Sequence, residues 1–227
     1  MKRMLKKSLN QNELNTFIQL GSLDQTVIKE HFSLDDISLE GSGQPYVDIP
    51  GVTMVFDLAG SSASIRQDGP NQFVETYASI FSELTEIIYK NKGVVEKFPG
   101  DGISAHFIKE RTEANFDQAR QRAATCAIKI REFMNGIGRG RSYRICMWTG
   151  SDTIATTIGS IHHKEIISIG HGVNVAHKLE KFVKEKGCVI GMDSRIAAYF
   201  PQSIRTAYEM PEDLRQSPAE IWYGVSQ

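Results

Sequence analysis

The order of patterned segments predicts an α/β (α+β) fold: a ferredoxin-like β-α-β-β-α-β core followed by further αβ elements. Two observations carry this. Strand-like runs at 52–56, 94–98, 103–107 and 143–148 are interrupted by two long helical stripes. The tetrapeptide Pro99-Gly100-Asp101-Gly102 joins the second and third runs as a hairpin. The same order hosts many unrelated functions, so it frames the chemistry without naming it.

Each element follows from its residues. Residues 1–45 read as a helical N-terminal extension and linker: Leu14, Phe17, Ile18, Val27 and Ile28 fall near one face, and Gly41 to Pro45 break the pattern. The main domain is then 46–227. Its first strand, 52–56, runs into Asp57 and a tight Gly60-Ser61-Ser62 turn. The first helix spans 70–91. Phe73, Tyr77, Ile80, Phe81, Leu84, Ile87 and Ile88 share a face, and Gly93 is expected to end it. A second helix covers 113–135, with Phe116, Ala119, Ala123, Ala127, Ile130 and Phe133 inward. The strand at 143–148 carries Met147 and Trp148, which read as core. Further on come a short strand at 166–170 and a helix at 172–184 with a Val173, Ala176, Leu179, Val183 stripe. A strand at Val189-Ile190, a helix at 193–200 stopped by Pro201, and a strand at 221–225 complete the chain.

Composition narrows the class. With 41% hydrophobic and 23% charged residues, 227 residues can bury a core without metal or disulfide staples. The net charge of -1 supplies no general attraction to nucleic acid or membrane. Cys126, Cys146 and Cys188 are odd in number and far apart, which excludes a disulfide framework and suits a reducing compartment. The basic start, Met1 to Lys7, has no apolar stretch after it, and no apolar run approaches 18 residues. The expectation is a soluble, cytoplasmic protein.

Two aspartates stand where a small α/β domain would hold metal. Asp57 closes the first strand, and Asp101 sits at the hairpin tip between two glycines. If strands one and three are neighbours, both carboxylates reach one sheet edge, where a pair of ions about 3.5–4 Å apart would bridge them for phosphoryl transfer. Magnesium suits such hard oxygen ligands and shares its coordination with phosphates. Taken singly, an Asp beside a Gly turn is more often a turn residue.

Three motifs change that balance. Val52-Thr53-Met54-Val55-Phe56-Asp57-Leu58-Ala59-Gly60 resembles the first metal motif of class III adenylate and guanylate cyclases, an apolar strand followed by Asp-Ile-x-Gly. Glu96-Lys97-Phe98-Pro99-Gly100-Asp101-Gly102 resembles their second, Asp-Lys-Phe-x-Gly-Asp-Gly. The segment from Ile169 to Glu180 resembles the third, Ile-Gly-Asp-x-Val-Asn-x-Ala-x-Arg-Leu-Glu. The three run in order over about residues 50–200. The resemblance implies the class III cyclase fold and a head-to-tail homodimer acting on a nucleoside triphosphate. Asp57 and Asp101 of one copy, with the Leu58 carbonyl, would hold two Mg²⁺ or Mn²⁺ per site. Backbone N–H groups of Gly60, Ser61 and Ser62 would cradle the β and γ phosphates. The other copy would bring Lys97 to the base, Asn174 to the ribose and Lys178 to the α-phosphate.

The pattern departs from that family in two places. Lys178 stands where the family has an Arg; a point charge replaces a planar fork. Ile167 stands seven residues before Asn174, where the family places an Asp or Thr that accepts from the adenine amino group. An unpaired donor there weakens adenine discrimination. Guanylate cyclases usually place Glu at the position of Lys97. Lys97 donates only, so it suits carbonyl oxygens, of which uracil offers two and cytosine one. The chain also resembles the small stand-alone bacterial pyrimidine cyclases of Pycsar antiphage signalling. Those imply a uridylate or, second, a cytidylate cyclase whose cUMP or cCMP drives a separately encoded effector. An Ile packed on a purine ring is the alternative at that position. An adenylate cyclase making cAMP and a catalytically degenerate nucleotide-binding module therefore both stay open.

Other features read as ordinary. His162-His163 lacks a second ligand pair at metal spacing and is expected in a solvated loop. His171 replaces an acidic residue of the third motif and is expected at the surface. Arg139, Arg141 and Arg144 cluster around Gly138 and Gly140, and a solvated loop is expected there too.

Overall fold

The computed structural model describes residues 46–60, 66, 69–137, 142–160, 162 and 164–226. The expected extension at 1–45, and Ser61, Ser62, Arg139, Arg141 and His163, lie outside the described residues. The elements run β1 (Tyr46–Asp48), β2 (Gly51–Leu58), α1 (Pro70–Lys90), β3 (Val94–Lys97), β4 (Gly102–Ile108), α2 (Asp117–Gly136), β5 (Tyr143–Gly150), β6 (Ile154–Gly159), β7 (Lys164–Ile169), α3 (His171–Glu185), β8 (Cys188–Asp193), α4 (Ser194–Ala197), β9 (Arg205–Glu209) and β10 (Ile221–Ser226).

Seven strands form one sheet in the order β3-β4-β2-β5-β8-β10-β9; β1, β6 and β7 form a second sheet in the order β1-β6-β7. Within the large sheet, β2-α1-β3-β4-α2-β5 is the expected split core, with β4 inserted between β2 and β3. Among the described residues, only β5 and β8 pair in parallel.

Side-chain alternation along β2 divides the molecule. Val52, Met54, Phe56 and Leu58 face one way, with Ile103, Ala105 and Phe107 of β4 and Ile145 and Met147 of β5. There they meet Ile80, Leu84 and Ile88 of α1 and Ala123, Ala127 and Ile130 of α2. Val55 faces the other way with Cys146 and Trp148, against Val175, Ala176, Leu179 and Val183 of α3. Both faces are covered, which explains why β2 and β5 carry apolar residues on both faces. Asp57 and Thr53 share the α3 face, and the polar chemistry collects there.

The helix termini refine the expected boundaries. α1 begins with Pro at its first turn after Gly69. It ends at Lys90; Lys92, with φ 58, takes the left-handed position instead of Gly93. α2 starts at Asp117, not near 113, because Asn115 Oδ1 accepts the Asp117 N–H and Glu113 is engaged by Arg122. The expected helix at 193–200 shrinks to one turn, capped by Asp193 Oδ1, which accepts from the N–H groups of Arg195 and Ile196. α3 packs its start directly on β5: a Cβ on Gly172 would lie 2.8 Å from the Gly150 Cα, so only glycine permits that approach. Among the described residues, no helix is long and apolar enough to cross a membrane.

Candidate active site

β2 and β4 are neighbours, and Asp57 stands directly opposite Gly102. Asp57 also stands opposite Arg144 on β5. The hairpin bends through Gly100, whose φ of 60 favours glycine, and closes with Gly102 N–H donating to the Pro99 carbonyl at 3.0 Å. The Leu58 N–H donates to the Asp101 carbonyl at 3.2 Å. The Tyr77 hydroxyl donates to the Gly100 carbonyl at 3.1 Å, so α1 braces the same turn. Asp57 and Asp101 therefore meet at one sheet edge. The Leu58 side chain is buried in the core on the opposite face, which leaves only its backbone for the edge.

The charge at this edge is unbalanced. Burial pushes the Asp57 carboxyl up to about 6, the negative charges of Glu180 and Asp101 push it the same way, and Arg144 opposes them. Arg144 Nη1 lies 3.3 Å from Asp57 Oδ2 and 3.2 Å from Glu180 Oε1, with its side chain 10% exposed. Arg144 is thus a buried strand residue of the site and not part of a solvated loop, contrary to expectation. The signal was its place in a strand whose two faces are both apolar: a charge there is buried wherever it points. Glu180, quoted within the third motif without a role, is the other residue that sequence reasoning missed.

The set can accept a hard divalent cation. Its donors are carboxylate and carbonyl oxygens, and the excess negative charge favours a positive ion. Among the described residues there is no group of three or more His, Cys, Asp or Glu able to hold a metal. Magnesium takes one or two carboxylates and completes its shell from water and substrate phosphate.

The remaining expected residues divide between two places. Gly60, with φ 85, turns the chain immediately after β2, next to Asp57. Lys97, at the end of β3, is partly exposed, with Nζ 3.6 Å from Glu96 Oε1. Ile167 lies on β7 opposite Thr156. Asn174 and Lys178 are exposed one turn apart on α3. Partial desolvation lowers the pKa of His177 on the same helix, with Lys97 reinforcing and Glu96 opposing. His162 is exposed. His171 is more enclosed than the surface position expected: it is half-buried, its N–H donates to Asp152 Oδ2 at 3.2 Å, and its Nε2 is buried.

No family model and no curated protein matches the sequence. Solved structures do match the fold. The adenylyl cyclase CyaB from P. aeruginosa superposes with a TM-score of 0.62 at 17% identity, over 79% of this chain and 96% of that one. A bacterial light-regulated adenylyl cyclase gives 0.62 at 19% identity over 99% of this chain, which spans 63% of that protein. The guanylate cyclase domain of RhGC from Catenaria anguillulae, in complex with GTP, gives 0.59 at 15% identity over 79% of this chain and 98% of that domain. This chain has the fold of adenylyl and guanylyl cyclase catalytic domains.

Proposed function

We propose that this chain is a nucleotidyl cyclase, converting a nucleoside triphosphate to a 3′,5′-cyclic nucleotide and pyrophosphate at an interface between two copies of itself. The observation that carries this is the meeting of Asp57 and Asp101 at one edge of a cyclase-fold sheet. In the reaction the ribose 3′-oxygen bonds to the α-phosphorus, the bond from that phosphorus to the β-phosphate oxygen breaks, and the 3′-hydroxyl proton passes to solvent water. Two Mg²⁺ or Mn²⁺ ions, when bound, ease loss of that proton and offset charge on the departing pyrophosphate.

The chain's own groups do the rest. Asp57, Asp101 and the Leu58 carbonyl would hold the cations, and the backbone N–H of Gly60, at the bend that follows β2, would serve the β and γ phosphates. Arg144, fixed by Asp57 and Glu180, supplies a permanent positive charge beside them. A second copy contributes Asn174 to orient the ribose and Lys178 to the charge developing on the α-phosphate. The same copy brings Lys97 and Ile167 to the base. Lys97 donates only, and Ile167 offers no acceptor, so a base rich in carbonyl oxygens fits better than adenine. Within the reading the substrate is therefore a pyrimidine, UTP ahead of CTP. Its cyclic product serves as a messenger in antiphage defence, detected by a separate effector.

The test is direct. The purified chain is incubated with ATP, GTP, UTP or CTP and Mn²⁺ or Mg²⁺, and products are identified by mass. Cyclic UMP as the main product supports the full reading. Cyclic AMP as the main product retains the cyclase and defeats the pyrimidine. Nucleotide binding without any product leaves a non-catalytic module, the reading that Lys178 in place of an Arg would favour.

A further inference from the structure

Consecutive residues of a strand point to opposite faces, yet Glu96 and Lys97 do not. In β3, Val95 pairs with Ala105 and Lys97 with Ser104, so Glu96 is an extra residue against two adjacent residues of β4. This bulge re-aims the side chains and brings Lys97 Nζ within 3.6 Å of Glu96 Oε1.

The Glu96 side chain is only 6% exposed, and donors surround it. Oε2 accepts from Ser104 Oγ at 3.0 Å, His106 Nε2 at 2.9 Å and Ser168 Oγ at 2.8 Å. Oε1 accepts from the Ser168 N–H at 2.7 Å. His106 Nδ1 lies 3.3 Å from Thr53 Oγ1, which orients the ring from β2. Burial would raise the Glu96 carboxyl, but the hydrogen bond and charge of His106 and the two bonds from Ser168 outweigh it. They hold the carboxyl well below the usual carboxylate range. Glu96 is an ionised, almost fully bonded group.

Its partners belong to different layers. Ser104 and His106 lie on β4 of the large sheet, whereas Ser168 lies on β7 of the small one. Glu96 is thus a direct tie from β3, which carries Lys97, to the residue next to Ile167. At 3.6 Å the contact is an ion pair and not a hydrogen bond, so Oε1 draws the ammonium by charge without engaging its N–H donors.

We propose that Glu96 is the positioning residue for base selection: it fixes the interval between Lys97 and Ile167 and aims the Lys97 ammonium at base carbonyl oxygens. This rests on the cyclase reading of the same site. Glu96 itself does not touch the base, because its carboxylate is already bonded on both oxygens.

The experiment compares wild type, Glu96→Gln and Ser168→Ala. Binding of ATP, GTP, UTP and CTP with Mn²⁺ is measured by calorimetry, alongside KM, kcat and thermal midpoint. In Glu96→Gln the affinity ratio between best and worst nucleotide is expected to fall about tenfold, with KM for the best rising and kcat changing less than about threefold. Ser168→Ala, which keeps the backbone donor, is expected to lose about threefold in that ratio. If Glu96→Gln does not fold, Ser168→Ala decides. A lowered thermal midpoint with an unchanged ratio shows a merely structural tie and overturns the proposal. Absence of product from the wild type sinks the cyclase reading and leaves the binding ratio to decide this one. A wild type that binds none of the four overturns both.

Discussion

Replacing Asp57 by Asn should inactivate the protein and stabilise it at the same time. The carboxyl is raised from 3.8 to about 6 by burial and by the Glu180 and Asp101 charges, and its side chain is 25% exposed. The folded state therefore holds its proton more tightly than the unfolded chain does. Between about pH 4 and 6 folding takes up a proton, so stability declines as pH rises through that window and stays reduced above it. A shift near two units corresponds to about 3 kcal/mol, which solvent screening at the open edge reduces to roughly 1–3. Asn removes this charge while keeping the volume, and Arg144 retains Glu180. At pH 8 without divalent metal, the variant should melt about 3–8 °C above wild type. At pH 4.5 the difference should shrink. Added Mn²⁺ should raise the midpoint of wild type and leave the variant unmoved. Differential scanning fluorimetry over pH and metal reads all three. A variant less stable than wild type at pH 8 would refute the electrostatic reasoning, and an equal metal response would refute the ligand assignment.

Other changes follow from the same geometry. Arg144→Gln leaves Asp57 and Glu180 facing each other without a cation, so turnover should fall at least about 100-fold and stability by about 2–4 kcal/mol. Steady-state kinetics and urea unfolding check both. Ile167→Asp restores an acceptor at the base edge, and the ATP-to-UTP ratio of kcat/KM should rise about tenfold or more; an unchanged ratio would remove this position from base reading. Asp193→Ala strips four hydrogen bonds, from the N–H and hydroxyl of Thr149 and the N–H groups of Arg195 and Ile196. It should destabilise by about 2–4 kcal/mol in chemical denaturation.

The sequence exposed what local patterning encodes. β2 declared itself by its apolar run, β4 by the alternation of Ile103, Ala105 and Phe107 with Ser104 and His106, α1 by its helical stripe, and the hairpin by Gly100-Asp101-Gly102. The missed strands lack such a pattern. β1 is three residues long, β6 has strand-favouring Ile154, Thr156, Thr157 and Ile158 but no continuous apolar run, and β9 is largely exposed. Arg144 was misread because its neighbours Arg139 and Arg141 suggest a basic loop, whereas pairing with Asp57 sets its position. Glu96 gave no signal because Ser168 lies 72 residues away, and a bulge is invisible without the register of the partner strand.

The proposed reaction requires two copies of the chain to build each site, and subunit complementation probes that sharing. Asp101→Asn and Asn174→Ala proteins are each purified, confirmed inactive, then mixed in equal amounts and allowed to exchange. Random pairing makes half of the dimers mixed, each with one intact site of two, so about a quarter of wild-type activity should return. No recovery, despite demonstrated exchange of subunits, would contradict the shared site.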